Sequence, residues 1–233
     1  MSSIDTLRGR LPDLYFVNAS QAQMEHHEAL LARLPQEKRI IEFLQAPGTF
    51  LTALSLCAYD QARPGLFAKI CGTLAALNVK VHTASVFTLH DDQPIILDTL
   101  QISDSYLGHD RRLAKTKHAK IRAALEEALA ETSSHHQRLH KPVLPSALKV
   151  YEVQCENTSL KDQKLITIRT AKNRLAVFRL ASVMASLGLD IQSAQIHQNE
   201  TEAHGIFFVT GQTEGGLEYQ LRFALQSHNV QQV

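Results

Sequence analysis

The sequence predicts an α+β fold made of two tandem modules, each an antiparallel sheet with its helices on one face. Two observations support this prediction. Hydrophobic patterns of period two and of about 3.6 residues alternate along the chain in the order β-α-β-β-α-β, and most of that order then recurs. No other arrangement accounts as simply for both the order and its repetition.

Residues 1–48 are expected to form a leader with one helix. Ser20 and Gln23 have the spacing of a capping box, which marks the start of a helix. Its predicted apolar face consists of Met24, His27, Leu30, Leu31 and Leu34. We expect Pro35 to end this helix and Pro47-Gly48 to close the leader.

The first module is predicted over residues 49–157. Its elements are a strand at 49–60, a helix at 65–77, strands at 79–89 and 95–102, a helix at 109–131 and a strand at 148–156. In the second strand, alternation puts Val79, Val81, Thr83, Ser85, Phe87 and Leu89 on one face. In the second helix the inward side chains are expected to be Leu113, Ile121, Leu125 and Leu129. This order is that of a ferredoxin-like unit.

The second module is predicted over residues 163–233 and repeats the first. Residues 64–87 align without gaps on residues 174–197, at a constant offset of 110 positions. A repeat of domain size indicates two copies of one small domain. Little sequence is left for the last strand of the second copy, so that strand is short, or another segment or chain supplies it.

Composition excludes several function classes. Apolar residues make up 44% of the 233 residues and the formal net charge is +1, which argues against nucleic acid or an anionic membrane as the main partner. No apolar run reaches the ~18–20 residues that span a bilayer. The three cysteines are scattered, which fits a reduced, cytoplasmic protein.

No catalytic, metal or cofactor motif stands out. A nucleotidyltransferase needs a loop of the type G-S/G-x-D-x-D, whose two carboxylates hold Mg²⁺ against a triphosphate, and we find no such loop. The pairs His90-Asp91 and His109-Asp110 are expected to be turn residues, and His135, His136 and His140 surface residues. RNA-recognition motifs share the βαββαβ order, but the strand at 95–102 lacks the aromatic residues that stack on bases.

One stretch carries a resemblance to a known family. A strand, then "RPGLF" at a helix start, then a hairpin that begins "NVKVHTASVFT", resembles an ACT domain, a small regulatory module that often binds amino acids. Two such modules behind "LPDLYFVNASQAQMEHHEALLARL" are similar to the C-terminal regulatory region of the bacterial PII uridylyltransferase family. The resemblance implies glutamine as ligand, a homodimer formed through the sheets, and an enzyme or PII-type signalling partner.

Candidate ligand-binding residues lie where the helix begins at 65. Helix N-termini attract carboxylates, and Gly65 lets a ligand approach the backbone beside Leu66 and Phe67. Asp60 is the candidate partner for an amino group and Arg63 for a carboxylate. Ala62 stands where the family usually has an aspartate.

Further candidates come from the next strand and from the second copy. Lys80 aligns with a frequent asparagine of the family, and His82 is expected to line the same pocket. In the second copy Arg174-Leu175 replaces Pro-Gly, while Asp190 takes the asparagine position. The alternative function is a dimerisation or docking module that senses nothing and has a degenerate loop.

Overall fold

The computed structural model describes residue 7 and residues 9–45, 48–60, 65–89, 91–106, 109–130, 147–160, 162–211 and 215–227. Its elements follow the chain from a leader into two similar halves. The helices are α1 (Asp13–Asn18), α2 (Gln21–Glu37), α3 (Leu66–Ala76), α4 (Lys115–Ala128), α5 (Ala176–Ser186) and α6 (Leu217–Gln226). The strands are β1 (Arg39–Gln45), β2 (Thr52–Tyr59), β3 (Val79–Leu89), β4 (Ile95–Tyr106), β5 (His109–Arg111), β6 (Val150–Asn157), β7 (Gln163–Ala171), β8 (Asp190–Gln198) and β9 (Glu202–Thr210).

The described strands form one antiparallel sheet of nine strands. Their order is β1-β2-β4-β3-β8-β9-β7-β6, and β5 pairs with β4 outside this path. The first half of that order belongs to the first copy and the second half to the second. The predicted α+β, ferredoxin-like class is confirmed, with the two copies joined edge to edge.

Two strands complete the copies in a way the sequence analysis missed. The strand predicted to end the first copy is β6, which pairs with β7 of the second copy over Val150–Asn157, so that assignment is wrong. The equivalent place beside β2 is taken by β1, a strand within the predicted leader. Each copy therefore receives its outer strand from the chain that precedes it. We propose on this basis that the modules run over residues 39–130 and 148–227.

The joint between the copies has internal two-fold symmetry. Thr83 pairs with His197 and Phe87 with Ser193, so β3 and β8 cross symmetrically about Ser85 and Gln195. At that centre the Ser85 hydroxyl donates to Oε1 of Gln195 over 3.0 Å. The positions related by this symmetry are the ones that the sequence repeat aligns. Two hairpins thus share one continuous backbone hydrogen-bond ladder.

Helices α3 to α6 cover one face of the sheet and bury the main core. All four side chains predicted to face inward near α4, from Leu113 to Leu129, are buried. Helices α3 and α5 pack against each other across the joint. The helix predicted from residue 109 begins only at Lys115, because His109–Arg111 instead form the short strand β5.

The predicted alternation of β3 is interrupted. Val79 and Val81 lie in the core under the helices, as do Ala84 and Val86, whereas Phe87 and Leu89 belong to the core on the other face. The cause is a break in register between Val81 and Thr83, where the strand bulges and its side chains change faces. The second copy has the corresponding break between Ile191 and Ser193.

The leader covers the other face of the first copy. Helix α2 starts at the predicted Ser20–Gln23 capping box and buries His27, Leu30 and Leu34. Pro35 does not end it, because the helix continues to Glu37. The predicted single helix is also incomplete, since α1 precedes α2 and its Tyr15 is fully buried.

A buried histidine ties the leader to the sheet. Nδ1 of His27 lies 3.0 Å from the Tyr15 hydroxyl, and Nε2 lies 2.9 Å from Oγ1 of Thr99 on β4. A neutral imidazole donates at one nitrogen and accepts at the other, which two hydroxyl groups can match. Burial, with a smaller effect of His26, lowers the pKa of His27 to about 4.

We expect the leader to make folding sensitive to acid. His27 has an ordinary pKa of 6.5 when unfolded, so the unfolded chain binds the extra proton first and stability is lost as the pH falls from about 6.5 to 4. Between pH 7 and pH 5 the loss due to His27 is about 2 kcal/mol. Urea unfolding of the wild type and of His27→Gln at both pH values measures it. Equal losses in both proteins would contradict this role.

Candidate functional site

A small cavity lies where the two copies meet on the helix side of the sheet. Its volume is about 30 Å³. The first copy contributes the residue after β2, the start of α3, the end of β3 and the start of β4. The second copy contributes α5 and the start of β8. We call it the joint cavity. Most of its wall is apolar, from Val86, Ile96, Ala181, Ala185, Leu189 and Ile191.

The N-terminus of α3 forms one side of the joint cavity. Gly65, Leu66 and Phe67 line it, and the N-cap residue Gly65 makes no side-chain cap, nor is one made by the other residues that the structure describes. Gly65 has a φ of +108°, a left-handed conformation that glycine adopts without strain. A Cβ there would meet Cβ of Ala185 at 3.4 Å. The helix start therefore presents N–H groups and a partial positive charge beside the cavity.

Three aspartates and Thr88 supply the polar part of the lining. Asp60 follows β2, Asp98 lies on β4, and Asp190 begins β8 of the second copy. The amide of Gln192 donates to Oδ2 of Asp190 over 2.6 Å. The sequence analysis proposed Asp60 and Asp190 as candidates in different copies, and the joint between β3 and β8 brings them to one cavity. Asp98 was not among the sequence-predicted candidates, because in the sequence it is a single polar residue within an apolar strand.

Asp98 is the most deeply buried of the three. It is 2% exposed, and its carboxyl accepts a hydrogen bond from the backbone N–H of Phe87. Its Oδ1 has no hydrogen-bond partner among the described residues. Burial raises the pKa of Asp98 to about 8; the Phe87 N–H opposes this shift and the charge of Asp60 adds to it. Asp98 is therefore mostly protonated at neutral pH.

The symmetry-related place in the second copy is filled. Leu100 lies opposite Ala84 and Phe207 opposite Ala194, so the counterpart of Asp98 is Gly205. The buried ring of Phe207 covers Gly205 so closely that an added Cβ would lie 2.4 Å from it. A side chain thus occupies the volume that in the first copy belongs to the joint cavity.

The start of α5 also differs from the start of α3. The N–H of Leu175 donates to Oδ1 of Asn173 over 2.8 Å, so a side chain already binds this turn. Arg174 is exposed. Neither Arg174 nor Leu175 is among the described residues that line the joint cavity.

Lys80 and His82 are not among the described residues that line the joint cavity, whereas Asp60 is. Nζ of Lys80 is 2.5 Å from Oδ2 of Asp110, and Nε2 of His82 is 2.8 Å from Oγ of Ser103. Burial, followed by the charge of Lys80, lowers the pKa of His82 to about 4. These side chains belong to a partly buried polar cluster formed by β3, β4 and β5.

Other predicted residues divide between described and undescribed parts of the chain. Ala62 and Arg63, with His90 and the three connector histidines, lie outside the described residues. Asp91 pairs with Arg10 at the turn between β3 and β4. Over the described ranges, no group of three or more His, Cys, Asp or Glu side chains is arranged to hold a metal ion. None of the helices in those ranges is long and apolar enough to cross a membrane.

The fold and the joint between the copies define a tandem pair of ferredoxin-like modules. Comparison with known proteins gives the more particular relationship. The chain is similar to bifunctional uridylyltransferase/uridylyl-removing enzymes of Acinetobacter baylyi (24% identity over 90% of the chain), Haemophilus influenzae (25% over 97%) and Vibrio campbellii (20% over 99%). The predicted resemblance is thereby confirmed.

The matches cover nearly all of this chain but only part of each relative. The chain spans about a quarter of their length, namely 24%, 25% and 26% of the three enzymes. No family model matches the chain. Among solved structures, aspartate kinase from Synechocystis aligns with a TM-score of 0.41 and 17% identity, over 75% of this chain and 26% of that one.

We expect Asp98→Asn to stabilise the protein increasingly as the pH rises. The folded state keeps a proton on Asp98 up to about pH 8, whereas the unfolded chain releases it near 3.8, so wild-type stability is lost as the pH rises through this window. An asparagine amide accepts the Phe87 N–H without titrating. Between pH 5 and pH 9 the gap between variant and wild type should grow by about 3–4 kcal/mol.

Urea unfolding across this pH range measures the gap. Asp92→Asn is the matched control, since Asp92 is exposed at the nearby turn. Parallel curves for wild type and Asp98→Asn would show that Asp98 does not titrate in this range.

Proposed function

We propose that this chain is a regulatory module that senses an amino acid, with glutamine as the first candidate, and that the ligand binds at the joint cavity. The observation that supports this proposal is the pairing in one cavity of an uncapped helix N-terminus with the carboxyl groups of Asp60, Asp98 and Asp190. The two kinds of group are complementary to the two ends of a zwitterion.

The chemistry assigns each end of the ligand to one side. The α-carboxylate accepts hydrogen bonds from the free N–H groups at Gly65 to Phe67, where the helix dipole favours negative charge. The α-ammonium group faces the aspartates on the other side. The cavity holds a group the size of a water molecule, so it accommodates the amine and not the whole ligand.

A ligand at this position contacts both copies. Asp60, Asp98 and the start of α3 belong to the first copy, whereas Asp190 and Ala185 belong to the second. Binding energy therefore depends on how the copies are packed, and a ligand that prefers one packing shifts the population toward it. This is the physical basis on which we propose a sensor.

The relatives suggest where such a sensor acts. Their names describe enzymes that add and remove uridylyl groups. We propose that this chain supplies a regulatory region to nitrogen metabolism in the cytoplasm, with such an enzyme or a PII-type protein as its partner. No residue described here is assigned to the uridylyl chemistry itself.

A second candidate function is docking without sensing. Tyr219 and Phe223 on α6 are 71% and 61% exposed, and their rings stack with centroids 6.2 Å apart. Exposed paired aromatic rings are typical of contact surfaces. The predicted homodimer through the sheets has fewer edges to use, because β3 and β8 pair within the chain and leave β1 and β6 at the ends of the described sheet.

Glycine substitutions at two helix starts separate the two functions. Gly65 and Gly216 both cap a helix with positive φ, and only Gly65 lines the joint cavity. We expect Gly65→Val and Gly216→Val each to lower stability by about 1–3 kcal/mol through backbone strain. Calorimetric titration should show glutamine affinity reduced at least about tenfold by Gly65→Val and unchanged by Gly216→Val.

A panel of other amino acids belongs to the same titration. Absence of heat for glutamine and for the whole panel at millimolar concentration would rule out sensing by this chain. Light scattering of Tyr219→Ser/Phe223→Ser against wild type then tests the docking function, which predicts a loss of self-association or of partner binding.

A further inference from the structure

Asp98 combines a place in the wall of the joint cavity with a carboxyl oxygen that no described residue binds. Asp98 lines the joint cavity together with the first turn of α3. One oxygen is used by the Phe87 N–H, and Oδ1 has no hydrogen-bond partner among the described residues. A buried polar atom left without a partner costs about 1–3 kcal/mol, so such atoms usually have an explanation in function or in a bound group.

We propose that Asp98 is the group that recognises the ligand's amine, and that binding of the amine expels a proton from the Asp98 carboxyl. The inference rests on the proposed amino-acid site and names its chemical selectivity. A primary ammonium group has three N–H donors and the size of a water molecule, which matches both Oδ1 and the volume of about 30 Å³.

The proton balance of the step is simple. The ligand enters with its amine already protonated and keeps all of its protons. The Asp98 carboxylic acid gives its proton to solvent and becomes a carboxylate, and an ion pair forms between the two. No other reactant is needed. Asp98 is the most deeply buried of the three aspartates, and a neutral acid there would give the ammonium group no charged partner at that depth, which is unfavourable.

Burial, and to a smaller extent the charge of Asp60, keeps the acid in its neutral form before the ligand arrives. Asp60 on the chain after β2 faces Asp98 and disfavours a second negative charge, and Asp190 on β8 lines the same cavity. The thiols of Cys57 on β2 and Cys71 on α3 also interact with Asp98, and burial keeps both of them neutral by raising their pKa. The described residues that line the cavity include no lysine, arginine or histidine.

The second copy shows what the same position looks like without this function. Gly205 replaces Asp98 there, and the ring of Phe207 fills the space above it. Since the two copies share their strands, their bulges and their joint, the acid is not required by the fold. Only the first copy is therefore assigned an amine site.

Calorimetry of glutamine binding at several pH values tests the inference. For the wild type at pH 7 we expect release of about one proton, measured by repeating the titration in buffers with different ionisation enthalpies. Affinity should rise by about tenfold per pH unit between pH 6 and pH 7.5. Glutaramate, which keeps the carboxylate and the side-chain amide but lacks the amine, should bind more weakly and release no proton.

Two variants locate the proton. Asp98→Asn should bind glutamine at least about tenfold more weakly, with no proton release and no pH dependence. Asp98→Ser, with a thermal unfolding scan to verify folding, should behave in the same way, and Asp92→Asn should match the wild type.

The outcomes separate this inference from the proposed function. Glutamine binding without proton release, or with proton release that persists in Asp98→Asn, would overturn the role of Asp98 and leave amino-acid sensing in place. Equal affinity of wild type and Asp98→Asn would do the same. No binding of glutamine at any pH would overturn both.

Discussion

The antiparallel pairing of β3 with β8 is the interaction on which the rest of the structure depends. A ferredoxin-like sheet has an open edge at its second strand, and an unpaired edge exposes a row of backbone groups. Here the two copies satisfy each other's edges, centred on Ser85 and Gln195. The same pairing fixes α5 against α3 and brings Asp190 to the helix start at Gly65. The cavity between the copies is therefore a direct consequence of the pairing of the two edge strands.

The backbones of the two copies are related by symmetry, but the side chains around the starts of α3 and α5 differ in their chemistry. Both copies bulge at equivalent positions and both begin a helix at the joint. In the first copy a buried acid and an uncapped helix face a small cavity, whereas in the second a phenylalanine ring and an asparagine side chain satisfy the same region. The two copies therefore share one backbone arrangement, and in the first copy polar groups stand where the second copy has a packed phenylalanine ring.

Sequence patterns predicted the fold class, most element positions and the repeat, because these depend on local periodicity and turn residues. They missed β1, because the residues between Pro35 and Pro47 were assigned to the leader. They also assigned β6 to the first copy, whereas it pairs with β7 of the second. Pairing partners of a strand are decided by long-range contacts that alternation does not encode. Among the site residues, too, those that depend on local sequence were predicted and the one that depends on long-range contacts was not. Gly65 and Asp60 were predicted from local spacing, whereas Asp98 was missed because its burial depends on helices from both copies.

The order in which each copy gathers its strands has a consequence for how the protein is made. In both copies the outer strand precedes the strand it pairs with, so β1 is available before β2, and β6 before β7. All the strands and helices that we assign to the first module lie at or before α4, so its own set of elements is complete once α4 has been made. During synthesis it can close before the second module has left the ribosome, and domains generally fold as units in this N-to-C direction. When the second module emerges, β8 can pair with the exposed edge of β3.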